Sequence, residues 1–232
     1  MTTAAQTSDL KKRASYKAVE FVKDGMLVGL GTGSTATFAV DALAERIAQG
    51  LKIEAIATSE KTAEQARRLG IKLTDFAHHH QIDLTIDGAD EVEVSTLNLI
   101  KGLGGALYRE KVVASVSKRL VIVVDQSKLV DRLGTKTAVP VEVVPFGWQL
   151  TAERLKNLGS TPELRLTSDK KPYLTDNGNY IIDCRFGKIE DSAGLADQIG
   201  LTIGVVESGL FVKMTSLVVA GKSQGIEILS RS

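Results

Sequence analysis

The first half of this 232-residue chain alternates short apolar runs with segments of helical periodicity, and this alternation restricts the possible folds more than any other feature. An amphipathic helix is predicted over 10–24, and an apolar run at 26–31 then ends in glycines before a helical pattern over 35–48. The order repeats with a strand over 53–58 and a helix over 61–69. Because strands that alternate with helices pair in parallel, the pattern predicts a doubly wound sheet.

The second half of the chain has a different pattern. A turn at 176–179 precedes a strand-like run at 180–183, which favours an antiparallel pair. A further strand-like run covers 210–220, and we expect the last strands to rejoin the first sheet. The sequence therefore predicts an α/β fold in which a doubly wound, Rossmann-like parallel-sheet domain carries a smaller inserted α+β, ferredoxin-like domain. The expected bounds are 1–134 with 205–232 for the Rossmann-like catalytic domain and 135–204 for the small domain.

Charge and composition exclude several classes of protein. The chain has 29 Lys and Arg against 28 Asp and Glu, and this balance disfavours binding to nucleic acid or to a membrane surface. No apolar run approaches the roughly 18 residues of a membrane-spanning helix, and the N-terminus lacks the order of a secretory signal. Cys184 is the single cysteine and cannot form an internal disulfide. We expect a cytoplasmic protein.

The segment 29–35 places glycines and hydroxyl side chains between a predicted strand and a predicted helix. Backbone N–H groups at the start of a helix favour an anion, and three hydroxyl groups suit a phosphate monoester. A relaxed match to G-x-G-x-x-A over 31–36 keeps a dinucleotide open, and a purely structural tight turn is the third alternative. The lysine of the nucleotide P-loop is absent, which disfavours a nucleoside triphosphate.

Carboxylates follow the predicted strand at 83–87, where open α/β sheets bind ligands. Asp87, Asp90 and Glu91 lie within five residues, and close carboxylates raise the pKa of one of them, as a general acid near neutral pH requires. Two alternatives stay open. The aspartates are also suited to capping a turn, or to binding a hard cation, although the spacing of a calcium loop is absent.

A glycine-rich loop at 101–105 leads into a predicted helix that carries Glu110. The glycines permit close approach of the backbone to a ligand, and Lys101 adds a cation beside it. Glu110 is positioned to act as a base; the alternative is an ordinary surface glutamate paired with a lysine. Lys128 follows the predicted strand at 120–125 and either reaches the same anion or is solvated.

Three adjacent histidines at 78–80 are interpreted as a solvated loop, because they cannot all face one metal ion from a regular element. Cys184 lies in a strand-like segment and is expected to be a small apolar filler. Trp148 is expected to start a helix and to pack in the small domain.

Four motifs in this order resemble the ribose-5-phosphate isomerase type A family: GTGST at 31–35, DGADE at 87–91, KGLGGA at 101–106 and REK at 109–111. The resemblance extends over nearly the whole length of the chain. It implies interconversion of D-ribose 5-phosphate and D-ribulose 5-phosphate through a cis-enediol(ate), in the pentose phosphate pathway, without a metal or an organic cofactor.

The resemblance also implies roles for single residues. Glu110 is the general base, Asp87 assists opening of the furanose ring, Lys101 stabilises negative charge on oxygen, and Asp90 orients Lys101. Leu103 stands where many members have glycine or a basic residue, and Ser208 where some have histidine. The implied substrate-binding residues are Thr32, Gly33, Ser34, Thr35, Asp87, Gly88, Ala89, Asp90, Lys101, Gly102, Leu103, Gly104 and Lys128. Members of the family are usually dimers or tetramers, so a homodimer or homotetramer is expected.

Two other functions are compatible with parts of the sequence. A sugar-phosphate sensor domain of a transcriptional regulator requires a DNA-binding helix-turn-helix, for which the segment ahead of the first predicted strand has no room, and it requires no base on the helix after the Lys101 loop. An NAD-linked oxidoreductase requires nicotinamide binding at 31–36.

Overall fold

The structure is a computed structural model that describes residues 3–231. Its fourteen strands are β1 (Leu27–Leu30), β2 (Glu54–Ala57), β3 (Leu84–Gly88), β4 (Glu91–Glu93), β5 (Leu99–Ile100), β6 (Leu120–Asp125), β7 (Leu129–Val130), β8 (Val139–Val143), β9 (Thr161–Leu164), β10 (Tyr180–Arg185), β11 (Val205–Ser208), β12 (Leu210–Phe211), β13 (Leu217–Lys222) and β14 (Gly225–Ser230). The helices are α1 (Ala4–Val19), α2 (Ala36–Ala48), α3 (Glu60–Arg68), α4 (Leu107–Ser115), α5 (Trp148–Asn157) and α6 (Ser192–Gly200), with a 3-10 turn at Gln126–Lys128.

The described chain divides into two compact units. The first contains the residues up to Ala89, then Arg109–Leu129 and the residues from Met214, and the second contains Asp90–Tyr108 and Val130–Lys213. No helix within residues 3–231 is long and apolar enough to cross a membrane.

A six-stranded sheet organises the first unit, with strand order β14-β13-β6-β3-β1-β2. All neighbouring pairs are parallel except the hairpin of β13 and β14. Strands β1, β3 and β6 are buried at every position, which explains why the run at 120–125 does not alternate. Parallel strands end at one edge, so the turns after β1, β3 and β6 share the carboxyl edge of this sheet, as the doubly wound prediction requires.

Helix α1 begins and ends earlier than the predicted segment 10–24. Thr3 starts it with a capping box, in which its hydroxyl accepts from the Gln6 N–H and its own N–H donates to the Gln6 side chain at 2.8 Å. The residues after Val19 form turns instead, although Val22 is still buried. The apolar spacing at 10–24 therefore reflects burial that continues beyond the end of the helix.

The second unit contains an antiparallel four-stranded sheet of order β11-β8-β10-β9, together with α5 and α6. This confirms the expected small antiparallel part, and Trp148 begins α5 and packs against its apolar core as predicted. A second sheet has the order β12-β5-β4-β7 and consists of strands of two or three residues.

The bounds of the two units differ from the expected domain bounds. Residues 90–108, 130–134 and 205–213 group with the second unit. These residues group with the second unit because several of them form the short sheet, in which β5 pairs with both β4 and β12. The strand-like run at 210–220 is consequently two strands, of which β12 belongs to this sheet and only β13 joins β6.

Candidate active site

The turn between β1 and α2 presents unpaired backbone donors at the carboxyl edge of the first sheet. Thr35 is the N-cap of α2, and its side chain makes no capping hydrogen bond. Within residues 3–231 no group accepts a hydrogen bond from the backbone N–H of Gly33, Ser34 or Thr35. Such N–H groups at the start of a helix bind anions, so the turn has the geometry of a phosphate site.

Thr32 forms hydrogen bonds within the protein at this turn. Its backbone N–H donates to Asp87 Oδ1 at 3.1 Å. Its hydroxyl lies 2.8 Å from Ser59 Oγ and 2.7 Å from Thr58 Oγ1. Both groups of Thr32 are thus bonded within the protein, where they brace the turn, and the exposed hydroxyl of the turn is that of Ser34.

Two residues of α1 contact the same turn, and sequence reasoning identified neither of them. Lys11 Nζ donates to Ser34 Oγ at 3.0 Å, and Ser15 Oγ donates to the carbonyl of Thr35 at 2.9 Å. The lysine brings a positive charge to a turn that already carries N–H donors. Both contacts join residues about twenty positions apart, and Lys11 stands beside Lys12 on a surface helix, so no local motif identifies it.

Asp87 is the penultimate residue of β3 and is 1% exposed. Besides the Thr32 N–H, its Oδ1 accepts from the backbone N–H of Gly88 at 2.7 Å. Gly31 packs so closely that a Cβ at this position would overlap the Asp87 carboxylate. This close approach is the physical reason for a glycine directly after β1.

Glu110 lies in the first turn of α4 and is only 4% exposed. The reading of Glu110 as an ordinary surface glutamate is therefore wrong. Its neighbour Arg109 forms an ion pair instead: Arg109 Nη1 contacts Glu60 Oε1 at 2.8 Å, and this contact lowers the pKa of Glu60. Lys128 is half-buried in the 3-10 turn after β6.

The remaining predicted site residues, Asp90 and the loop at 101–104, belong to the second unit. Lys101 is 2% exposed, and its ammonium lies 5.4 Å from the centre of the Phe211 ring, a distance at which a cation and an aromatic face attract each other. Asp90 Oδ2 accepts from the backbone N–H of Leu103 at 2.9 Å. The aspartate therefore fixes the loop through its backbone, while the Leu103 side chain is exposed.

The histidines at 78–80 lie in an exposed to half-buried loop, and Cys184 lies in the apolar core of the second unit. His78 contacts Asp75 at 2.8 Å and His79 contacts Glu54 at 3.2 Å. Across residues 3–231 no group of three or more His, Cys, Asp or Glu is arranged to hold a metal ion. Cys184 is buried, and this burial raises the pKa of its thiol to about 12.

The family model of ribose 5-phosphate isomerase A (phosphoriboisomerase A) matches residues 54–225 of the chain. The chain belongs to this family. A relative named ribose-5-phosphate isomerase A, from Gloeobacter violaceus, is 56% identical over 223 residues, which cover 96% of each sequence. The resemblance seen in the motifs is thereby confirmed.

Solved structures of the family have the same fold. Ribose 5-phosphate isomerase A from Methanocaldococcus jannaschii superposes with a TM-score of 0.93 at 40% identity, over 97% of this chain and 100% of that one. A D-ribose-5-phosphate isomerase in complex with phospho-erythronic acid superposes with a TM-score of 0.94 at 36% identity, over 97% and 99% of the two chains. The α/β fold with a parallel sheet and a small antiparallel sheet is the fold of this family.

Proposed function

We propose that this chain interconverts D-ribose 5-phosphate and D-ribulose 5-phosphate, as in the non-oxidative pentose phosphate pathway, and that it needs neither a metal nor an organic cofactor. The observation that carries the proposal is 56% identity, over 96% of the chain, to a protein named for this reaction. The buried carboxylates and the anion-binding turn supply the chemistry that such an isomerase needs.

The substrate phosphate binds at the turn between β1 and α2. Backbone N–H groups of Gly33, Ser34 and Thr35 donate to its oxygens, together with the Ser34 hydroxyl and the Lys11 ammonium. These groups grip the end of the sugar that does not react. Binding energy from a remote group of this kind helps to hold the reacting carbons in place.

The proton transfer is assigned to Glu110. Asp87 assists the opening of the furanose ring, which frees the C1 aldehyde. The Glu110 carboxylate then removes the proton from C2, and the electron pair moves to give the enediolate with negative charge on O1. Glu110 returns the proton to C1, while the proton of the O2 hydroxyl passes to O1, so that C2 becomes the ketone carbon and O1 a hydroxyl group.

Lys101 stabilises the enediolate. The residue is 2% exposed, and a positive charge in buried surroundings acts more strongly on a developing oxyanion than one in water. Asp90 holds the loop that carries Lys101, through the Leu103 N–H. The remaining substrate contacts are assigned to Thr32, Gly88, Ala89, Gly102, Leu103, Gly104 and Lys128.

The experiment is conversion of D-ribose 5-phosphate in D₂O with EDTA present and no added cofactor, followed by NMR. We expect the ketose to form with deuterium entering at C1. Loss of activity in EDTA would contradict the metal-free mechanism. Binding without turnover would favour a sensor over an enzyme, and turnover only with a nicotinamide would favour the oxidoreductase.

We further assign the protein to the cytoplasm as a homodimer or homotetramer, with the sugar phosphate as its ligand and no nucleic-acid partner. Self-association is supported by exposed apolar residues in the second unit, which we call the apolar cluster: Val144, Phe146, Leu150, Leu201 and Ile203. Large exposed apolar groups of this kind are typical of protein interfaces.

A further inference from the structure

Arg165 contacts the glycine-rich loop although more than sixty residues separate them in the sequence. Its Nη1 donates to the carbonyl oxygen of Gly102 at 2.9 Å and to that of Leu103 at 3.1 Å. Its Nε donates to Asp183 Oδ2 at 2.9 Å, and its Nη2 contacts Asp183 Oδ1. One guanidinium group therefore joins the antiparallel sheet to two consecutive peptides of the loop.

The sheet determines where this guanidinium lies. Asp183 on β10 pairs with Glu163 on β9, and Arg165 follows two residues later, where its side chain leaves the same face. The Arg165 side chain is 13% exposed. A two-point contact between a guanidinium and a carboxylate has fixed geometry, so Asp183 holds Arg165 in one orientation.

The two carbonyl contacts determine the direction of the N–H groups that follow them. In a planar trans peptide the C=O of one residue and the N–H of the next point in opposite directions. The Leu103 N–H accordingly points away from Arg165 and donates to Asp90 at 2.9 Å. The Gly104 N–H is directed in the same manner by the Leu103 carbonyl. In the described part of the chain no group accepts a hydrogen bond from it.

The end of the loop is held by Tyr173. A Cβ at Gly105 would overlap the Tyr173 hydroxyl, and Gly105 itself has φ +82°, a conformation that favours glycine. The guanidinium carbon of Arg165 lies 6.0 Å from the centre of the Tyr173 ring. The loop is thus held by side chains of the second unit at both of its ends, and its conformation does not depend on the loop sequence alone.

We propose that Arg165 is a positioning residue for the isomerase reaction, which fixes the loop so that the Gly104 N–H donates to the substrate oxygen on which negative charge develops. This inference rests on the proposed function. It predicts that Arg165 contributes to turnover without touching the substrate, because a donor that moves by a fraction of an ångström stabilises the enediolate less.

The test is Arg165→Met in the full chain. We expect kcat to fall about 10- to 100-fold while KM for ribose 5-phosphate changes less than about threefold. Affinity for phospho-erythronic acid, whose carboxylate carries negative charge as the enediolate does, should fall with kcat. Inhibition by inorganic phosphate should stay at the wild-type value. Arg165→Lys keeps the charge but lacks the fork, so it should not restore kcat.

Arg154→Met is the matched control, because Arg154 also donates from Nη1 to a backbone carbonyl, that of Ile203, at 3.2 Å. It should leave kcat unchanged. A folded Arg165→Met or Arg165→Lys variant with kcat within twofold of wild type overturns the inference. If Arg165→Met does not fold, Arg165→Lys and Asp183→Asn are tested instead, and kcat within twofold of wild type in these variants overturns the inference. If the wild-type chain has no isomerase activity, the proposed function fails, and calorimetry with phospho-erythronic acid still shows whether Arg165 fixes the loop.

Discussion

Replacing Glu110 by glutamine removes one negative charge and keeps the size of a side chain that is 4% exposed. A buried amide fits the same space but cannot take a proton from carbon. We therefore expect kcat to fall about 10²- to 10⁴-fold, with KM for ribose 5-phosphate nearly unchanged. Glu64→Gln on the exposed face of α3 is the control and should retain full activity. Comparable turnover in the two variants would remove Glu110 from the role of base.

Lys11 and Lys12 provide a matched pair on one helix. Lys11 contacts Ser34 in the phosphate turn at 3.0 Å, whereas the ammonium of Lys12 lies 5.3 Å from the centre of the Tyr16 ring. Lys11→Met should raise KM for ribose 5-phosphate about tenfold and change kcat little, because the phosphate grip loses a charge. Lys12→Met should leave both constants unchanged. Equal effects of the two changes on KM, measured by steady-state kinetics, would place the phosphate elsewhere.

At the scale of single residues, the sequence identifies those functional residues that stand in a short, recognisable motif. Glu110 and Asp87 stand in short motifs at the ends of predicted elements, and the structure buries both. Lys11 and Arg165 act across 23 and 62 positions, and each occurs among other basic residues of similar context. Their contacts depend on which elements pack together in the fold, and the spacing of residues in the sequence does not reveal this packing.

Among the elements, Asp83 joins the start of β1 to the segment that follows α4. Its Oδ1 accepts from Lys118 Nζ at 2.8 Å and its Oδ2 from the Leu27 N–H at 3.0 Å. The Lys118 contact and then the backbone N–H hold the pKa of this carboxyl below its usual value. Asp83→Asn should therefore lower the free energy of unfolding at pH 7 by on the order of 1 kcal/mol.

The sign of the pH dependence follows from the lowered pKa. The stabilisation is complete above the pKa of the unfolded chain, about 4, and is lost as the pH falls through the lower pKa of the folded state. Urea unfolding should thus show a constant difference between wild type and Asp83→Asn from pH 7 to 5, and a smaller one below pH 4. Lys118→Met with Asp83→Asn should cost less than the sum of the single changes. A difference that grows on acidification would contradict this account.

The elements that the sequence predicts well are those whose burial repeats over several residues. The segment 35–48 has one apolar face and is found as α2, and the continuous run at 120–125 is found as β6. Strands β5 and β12 have two residues each, too few for a period, and they form only because each finds a partner from a distant part of the chain. This is the reason why the bounds of the two units were not predictable, whereas the fold class was.

At the scale of the whole molecule, the apolar cluster is the feature that a single chain does not explain. Phe146, between β8 and α5, is 93% exposed, and Leu201, at the end of α6, is 85% exposed. Their segments meet through the Val144 N–H, which donates to the Gly204 carbonyl at 2.9 Å. Exposure of this size costs solubility unless another surface covers it, so the proposed homodimer or homotetramer supplies a physical reason for these side chains.

The double variant Phe146→Asp with Leu201→Asp should therefore dissociate the assembly, because association would bury two carboxylates without a positively charged partner. Light scattering coupled to gel filtration should show wild type at a multiple of 24.9 kDa and the double variant at or near that mass. Leu166→Asp changes another exposed leucine, outside the cluster, and should leave the wild-type mass. An unchanged multimer in the double variant would assign the interface to another surface, and a monomeric wild type would reject the proposed oligomer.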